Sequence, residues 1–284
     1  MKKIFVVALT AVIIAVMTVS TFAADDGLIG FYKLDGNFKN EVGVDGAAIG
    51  RRFNDPAGEP VFTDGRFRTV NGVDDGAVFN LDIERDFTIA FYANATYNFS
   101  SPFIWIGNRI QLYPENWIVI GCDIFERETV TVSSNDATGT RLTLDTGVAF
   151  GVDAYYTLVV SEGIATVYVD GVLVGATNTN GYEPSYEGRK ENLTSLLPNP
   201  WEAEDCAIYV GVNCWDAAAD CTYDNISVYN KAISADEVAA LYAAGGDPTV
   251  GGEGEAPAPQ TGFATIALAV VAIASGAYIV SKKH

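Results

Sequence analysis

Histidine sets the first limit on the chemistry open to this chain. His284 is its single histidine, at the final position. A Ser-His-Asp triad, a Cys-His pair or a histidine metal site is therefore excluded from the rest of the sequence. Carboxylates are abundant, and glycoside hydrolysis needs two of them spaced across one bond. The nearest pair, Glu126 and Glu128 in Phe125-Glu126-Arg127-Glu128, reads as a charged strand edge or turn. No catalytic residue is assigned, and the chain reads as a binding protein rather than an enzyme. Sugar recognition would instead use aromatic faces for stacking, with amides and carboxylates directed at hydroxyls. Tyr92 and Asn94 share one strand face, and Trp105, Tyr113 and Trp117 follow closely. Each ring taken alone fits core or sheet packing better than sugar stacking. The 28 residues from Asn178 to Asp205 hold Tyr182, Tyr186 and Trp201, and connections of that length usually carry function or are disordered. Trp215 lies between Cys214 and Cys221.

Those two cysteines belong to a set of four with Cys122 and Cys206, and none has Cys-x-x-Cys spacing. Four cysteines allow three disulfide connectivities. The short separation favours Cys214 with Cys221, leaving Cys122 for Cys206. Free thiols packed as small hydrophobes are the alternative.

The elements that must hold these residues read as strands. Phe87, Ile89, Phe91 and Ala93 alternate with Thr88, Ala90, Tyr92 and Asn94, the period of a strand with two distinct faces. Thr157 to Ser161, Ile164 to Val169 and Val172 to Thr177 are separated by Glu162-Gly163 and Asp170-Gly171. Such pairs fit the tight turns of a hairpin, whose central residues need positive φ. One helix is expected near residue 235. Ser234 and Glu237 form a capping box there, and Val238, Leu241 and Tyr242 form its apolar side. No internal repeat is present.

Both ends have a separate character. Residues 1–24 carry Lys2 and Lys3, an apolar run from Ile4 to Val19 and small residues at Ala23 and Ala24, the layout of a cleaved secretory signal. Residues 25–246 form the body. Residues 247–261, rich in Gly, Pro and Glu, read as a spacer. In residues 262–284, Gly262 to Val280 is uncharged and precedes Lys282-Lys283, as in a membrane anchor with a cytoplasmic basic tail. Four of the 17 basic residues, Lys2, Lys3, Lys282 and Lys283, lie in these end segments. That leaves 13 against 36 acidic residues, a balance of −23. Nucleic acid binding needs a basic footprint and is excluded as a class.

Two resemblances sharpen this reading. Pro259-Gln260-Thr261-Gly262, an apolar span and a basic tail together resemble the cell-wall sorting signal of Gram-positive surface proteins. Ala258 stands where that signal usually has Leu or, in some variants, Asn. The resemblance implies sortase as a partner and a wall- or membrane-anchored extracellular location.

The body is similar to laminin-G-like, concanavalin A-like lectin/glucanase domains in three blocks. These are Gly27 to Gly46, the hairpin from Tyr156 to Gly175, and Asp224 to Glu237. The resemblance implies an all-β antiparallel jelly-roll sandwich with one concave and one convex sheet, and with Tyr92 and Asn94 on the concave side. It also implies a structural calcium ion on Asp35, Asn37 and Asp224, although Asn40 and Asn225 replace acidic residues of the motif and lower the ligand charge. The glucanase motif Glu-x-Asp-x-x-Glu is missing from the sequence. The expected function is a surface-displayed carbohydrate-binding module. An adhesin or structural surface protein that binds protein is the alternative, and a glycoside hydrolase comes third.

Overall fold

The structure is a computed structural model. It describes residues 27–50, 56–70, 75–95, 102–108, 117–121, 129–135, 141–176, 182–184, 190–192, 206–213, 218 and 220–250. The first strands are β1 (Leu28–Tyr32), β2 (Ala47–Gly50), β3 (Val61–Thr63), β4 (Arg66–Thr69), β5 (Asp75–Phe79) and β6 (Phe87–Ala95). Then come β7 (Pro102–Asn108), β8 (Trp117–Gly121), β9 (Thr129–Asn135), β10 (Arg141–Ala149), β11 (Ala154–Ser161) and β12 (Ile164–Val169). The remainder are β13 (Val172–Ala176), β14 (Tyr182–Pro184), β15 (Lys190–Asn192), β16 (Cys206–Val210) and β17 (Cys221–Tyr229), followed by helix α1 (Ala235–Ala243).

Two antiparallel sheets form a β-sandwich. The first has eight strands in the order β13-β12-β11-β6-β17-β4-β3, with β1 also paired to β17. The second has seven, in the order β10-β9-β8-β7-β16-β5-β2. Strands β14 and β15 pair as a small hairpin, so the long connection after β13 contains structure of its own.

Alternation decides which side chains fill the space between the layers. Phe87, Ile89, Phe91 and Ala93 of β6 all join the inter-sheet core, as their spacing predicts. Tyr156, Leu158 and Val160 of β11 and Ile118 and Ile120 of β8 do the same. Aromatic contacts tie sheet to sheet. The Tyr32 and Phe79 rings stack at 3.7 Å, and Phe103 meets the edges of Tyr156 and Tyr223 at 5.8 and 6.4 Å. Burying one such ring contributes about 1.5–3 kcal/mol.

Turn chemistry matches as well. Glu162-Gly163 and Asp170-Gly171 all have positive φ, between 50° and 80°. Ser234 caps α1, and the reciprocal Glu237 bond is present. Val238 and Leu241 press the helix onto Ala90, Tyr155, Val159 and Tyr229, the outer face of the first sheet. The outer face of the second sheet buries Trp105, Trp117, Tyr209 and Val78 in a separate cluster.

Residue contacts continue past α1. Asn225 Nδ2 donates to Gly245 O at 3.0 Å, and Asp247 pairs with Lys33 at 3.2 Å. Among the described residues, no helix is long and apolar enough to cross a membrane. The signal-like residues 1–24, the motif Pro259-Gln260-Thr261-Gly262 and the span Gly262 to Val280 lie outside them.

Candidate functional site

The expected ligand residues separate widely. Trp105 is 1% exposed, with its ring 5.1 Å from that of Tyr209. It faces outward from its own sheet but is sealed, so it offers no face for a sugar and acts in packing. Tyr182 lies on β14 opposite Asn192. Tyr113, Tyr186, Trp201 and Trp215 lie outside the described residues, as do Glu126 and Glu128.

Among the described residues no disulfide is seen, and Cys206 and Cys221 carry free thiols. Alternation turns Cys221 inward into the inter-sheet core, where it packs as a small hydrophobe. Burial pushes both thiols up to about 12. Their intended partners, Cys214 and Cys122, lie outside the described residues.

The expected calcium residues Asp35, Asn37 and Asp224 all lie among the described residues. Asn37 Oδ1 accepts from Lys39 N at 2.8 Å, a local turn that occupies the amide oxygen. Asp35 and Asp224 lie close enough for their charges to interact, but Arg66 Nε sits 3.6 Å from Asp224 Oδ2. A divalent ion there would meet a fixed guanidinium. Among the described residues, no group of three or more His, Cys, Asp or Glu side chains converges. Asn225, expected near this ion, has another role. Its φ of 47° lies in a bulge where β17 shifts register against β6 between Asp224 and Ser227.

Tyr92 and Asn94 remain, and they lead to a site that the aromatic pattern did not reveal. Both lie on the outer face of the first sheet, Tyr92 against the cluster under α1 and Asn94 further along the strand. Register places Asn94 opposite Thr222 of β17, and Thr222 opposite Arg68 of β4. Tyr92 is opposite Asp224, one step along. Around the first row opens a groove of about 450 Å³, lined by Thr63, Asp64, Arg66, Arg68, Asn94 and Asp220 together with Cys221 and Thr222.

Arg66 is held on several sides. It makes two hydrogen bonds to Asp153, at 2.7 and 3.0 Å, and its guanidinium carbon lies 5.9 Å from the Tyr92 ring centre. The Asp153 hydrogen bonds raise its pKa further and keep it charged. Tyr92 is thus crowded by Arg66 and by Tyr155 at 4.6 Å, which leaves little of its ring for stacking. Asp224 is pushed up to about 6, first by burial and then by Asp35, while Arg66 acts in the opposite direction.

The arginines have a sequence signal after all. Asp64-Gly65 has φ values of 53° and 73° and joins β3 to β4, the same hairpin chemistry as Asp170-Gly171. In the Arg66-Phe67-Arg68 that follows, alternation buries Phe67 and turns both arginines outward.

No protein-family model and no curated protein matches the chain. Solved structures do. One is domain 4 of AbnA, a GH43 extracellular arabinanase from Geobacillus stearothermophilus, in complex with arabinotriose. It is 16% identical with a TM-score of 0.56, over 76% of this chain and 98% of that one. The binding domain of Paraclostridial Mosquitocidal Protein 1 is 12% identical with a TM-score of 0.52, over 77% of this chain and 52% of that one. The Botulinum Neurotoxin Type G receptor binding domain is 13% identical with a TM-score of 0.50, over 76% and 51%. The chain shares their β-sandwich fold.

Proposed function

We propose that this protein is a carbohydrate-binding module with a jelly-roll β-sandwich, displayed outside the cell. The observation that carries the reading is the groove on the first sheet. In it, guanidinium, amide, hydroxyl and carboxylate groups share one open surface of about 450 Å³, within the range of small-ligand pockets. The arabinotriose held by the similar arabinanase domain supports a glycan as the ligand. Export rests on the signal-like residues 1–24. Anchoring rests on Pro259-Gln260-Thr261-Gly262 as a sortase substrate and Gly262 to Val280 as the span. A glycan array probed with the purified protein, with and without calcium, should show retention on at least one oligosaccharide family. Blank arrays in both conditions would remove the carbohydrate reading and favour a protein-binding adhesin.

A hydrolase reading draws on one feature, the raised Asp224 carboxyl, since a general acid must stay protonated near neutral pH. Arg66 beside it opposes that protonation. Release of reducing ends from arabinan or another polysaccharide would establish the enzyme, and none is expected.

A further inference from the structure

We infer that the groove takes a short uncharged oligosaccharide, held edge-on by the row Arg68, Thr222 and Asn94 through hydrogen bonds rather than ring stacking. This inference rests on the carbohydrate reading above and specifies its ligand class.

The division of labour between the two arginines comes first. Arg66, 26% exposed, is committed to Asp153, Asp224 and the Tyr92 ring. Arg68 is 45% exposed, and among the described residues its one ion contact, to Asp220, is 3.6 Å long, beyond hydrogen-bond range. Its planar fork of donors is therefore available. Next to it in register stand Thr222 and Asn94, each able to donate and to accept. Strands are spaced by roughly 4.8 Å, so the row extends about 10 Å across the sheet. Hydroxyl groups also donate and accept, and such a row satisfies them in sequence.

Charge decides the ligand class. In the lining, Arg66 and Arg68 face Asp64 and Asp220. Behind them stand Asp153 and Asp224, both against Arg66, with Asp35 near Asp224. Five carboxylates thus surround two guanidiniums, in a protein of net charge −19. A uronic or sialic acid would find no surplus cation here and would be repelled. Among the described residues the lining has no aromatic side chain, which leaves the polar row as the groove's recognition surface.

Calorimetric titration of the purified protein with arabinotriose, cellotriose and trigalacturonate tests this, each at low and at high salt. One neutral trisaccharide should bind, with affinity changed less than about twofold by salt, because no charged pair is screened. Arg68→Ala should weaken it about tenfold or more, the scale of a charge-assisted hydrogen bond, and Arg68→Lys should restore part of the loss. An unchanged Tm identifies the variants as folded. If trigalacturonate binds more tightly and weakens with salt, the inference falls while the carbohydrate reading stands. Neutral binding indifferent to Arg68→Ala removes the row from recognition. Binding of none of the three, joined to a blank array, overturns both.

Discussion

Asp224 is where burial, attraction and repulsion act on one carboxyl. Its raised value, about 6 against an ordinary 3.8, means that the folded state holds a proton more readily than the unfolded chain between those limits. The contribution of this group to stability is therefore full below about pH 4 and is lost as pH rises through 6. Asp224→Asn, neutral and of similar shape, should raise the Tm relative to the parent above pH 6 and leave it nearly unchanged at pH 4. A variant destabilised equally at both values would contradict the assigned burial. The thiols yield a second expectation. With pKa values near 12, Cys206 and Cys221 are almost wholly protonated at pH 8. Mass spectrometry after iodoacetamide treatment should find Cys221 unmodified in the folded protein and modified once it is denatured. At this scale the sequence showed Asn94 but not its partners. Arg68 and Thr222 are separated by more than 150 positions and meet only through strand pairing.

At the scale of elements, strand β17 carries the most information. Cys221 and Tyr223 point inward, then Ile226 and Val228 do, so the alternation slips by one residue at Asp224-Asn225. That slip is visible in the sequence as a break in period, and the bulge is its structural cause. It turns Asp224 outward to Arg66 while Ile226 stays in the core. Asn tolerates the left-handed backbone that a β-branched residue resists. Asn225→Val should therefore cost about 2 kcal/mol or more in chemical denaturation, and Asn225→Gly less, since it loses only the bond to Gly245. Helix α1 is simpler. Ser234→Ala removes the cap on Glu237 N and should cost about 1 kcal/mol by the same measurement. Hairpins and capping box were legible because their signals are local. The strand pair β14 and β15 was not, because strands of three residues have too little period to show.

At the scale of the molecule, the sandwich presents two outer faces with different fates. One seals Trp105, Trp117 and Tyr209, while the other is covered by α1 at one end and open at the groove. Alternation and turn residues carried the β class, and composition carried the acidic balance. It did not show which face stays open, since a tryptophan on an outward position looks the same in sequence whether covered or free. In the proposed module, recognition within the open groove falls to its polar row. Filling that row is the most direct challenge. Thr222 stands at its centre, partly exposed, so Thr222→Arg should plug the groove without touching the core. The decisive measurement is calorimetric titration of parent and Thr222→Arg with whichever oligosaccharide the array retains. The parent should bind saturably and a variant of equal Tm not at all, whereas undiminished binding by the plugged protein would contradict recognition at this row.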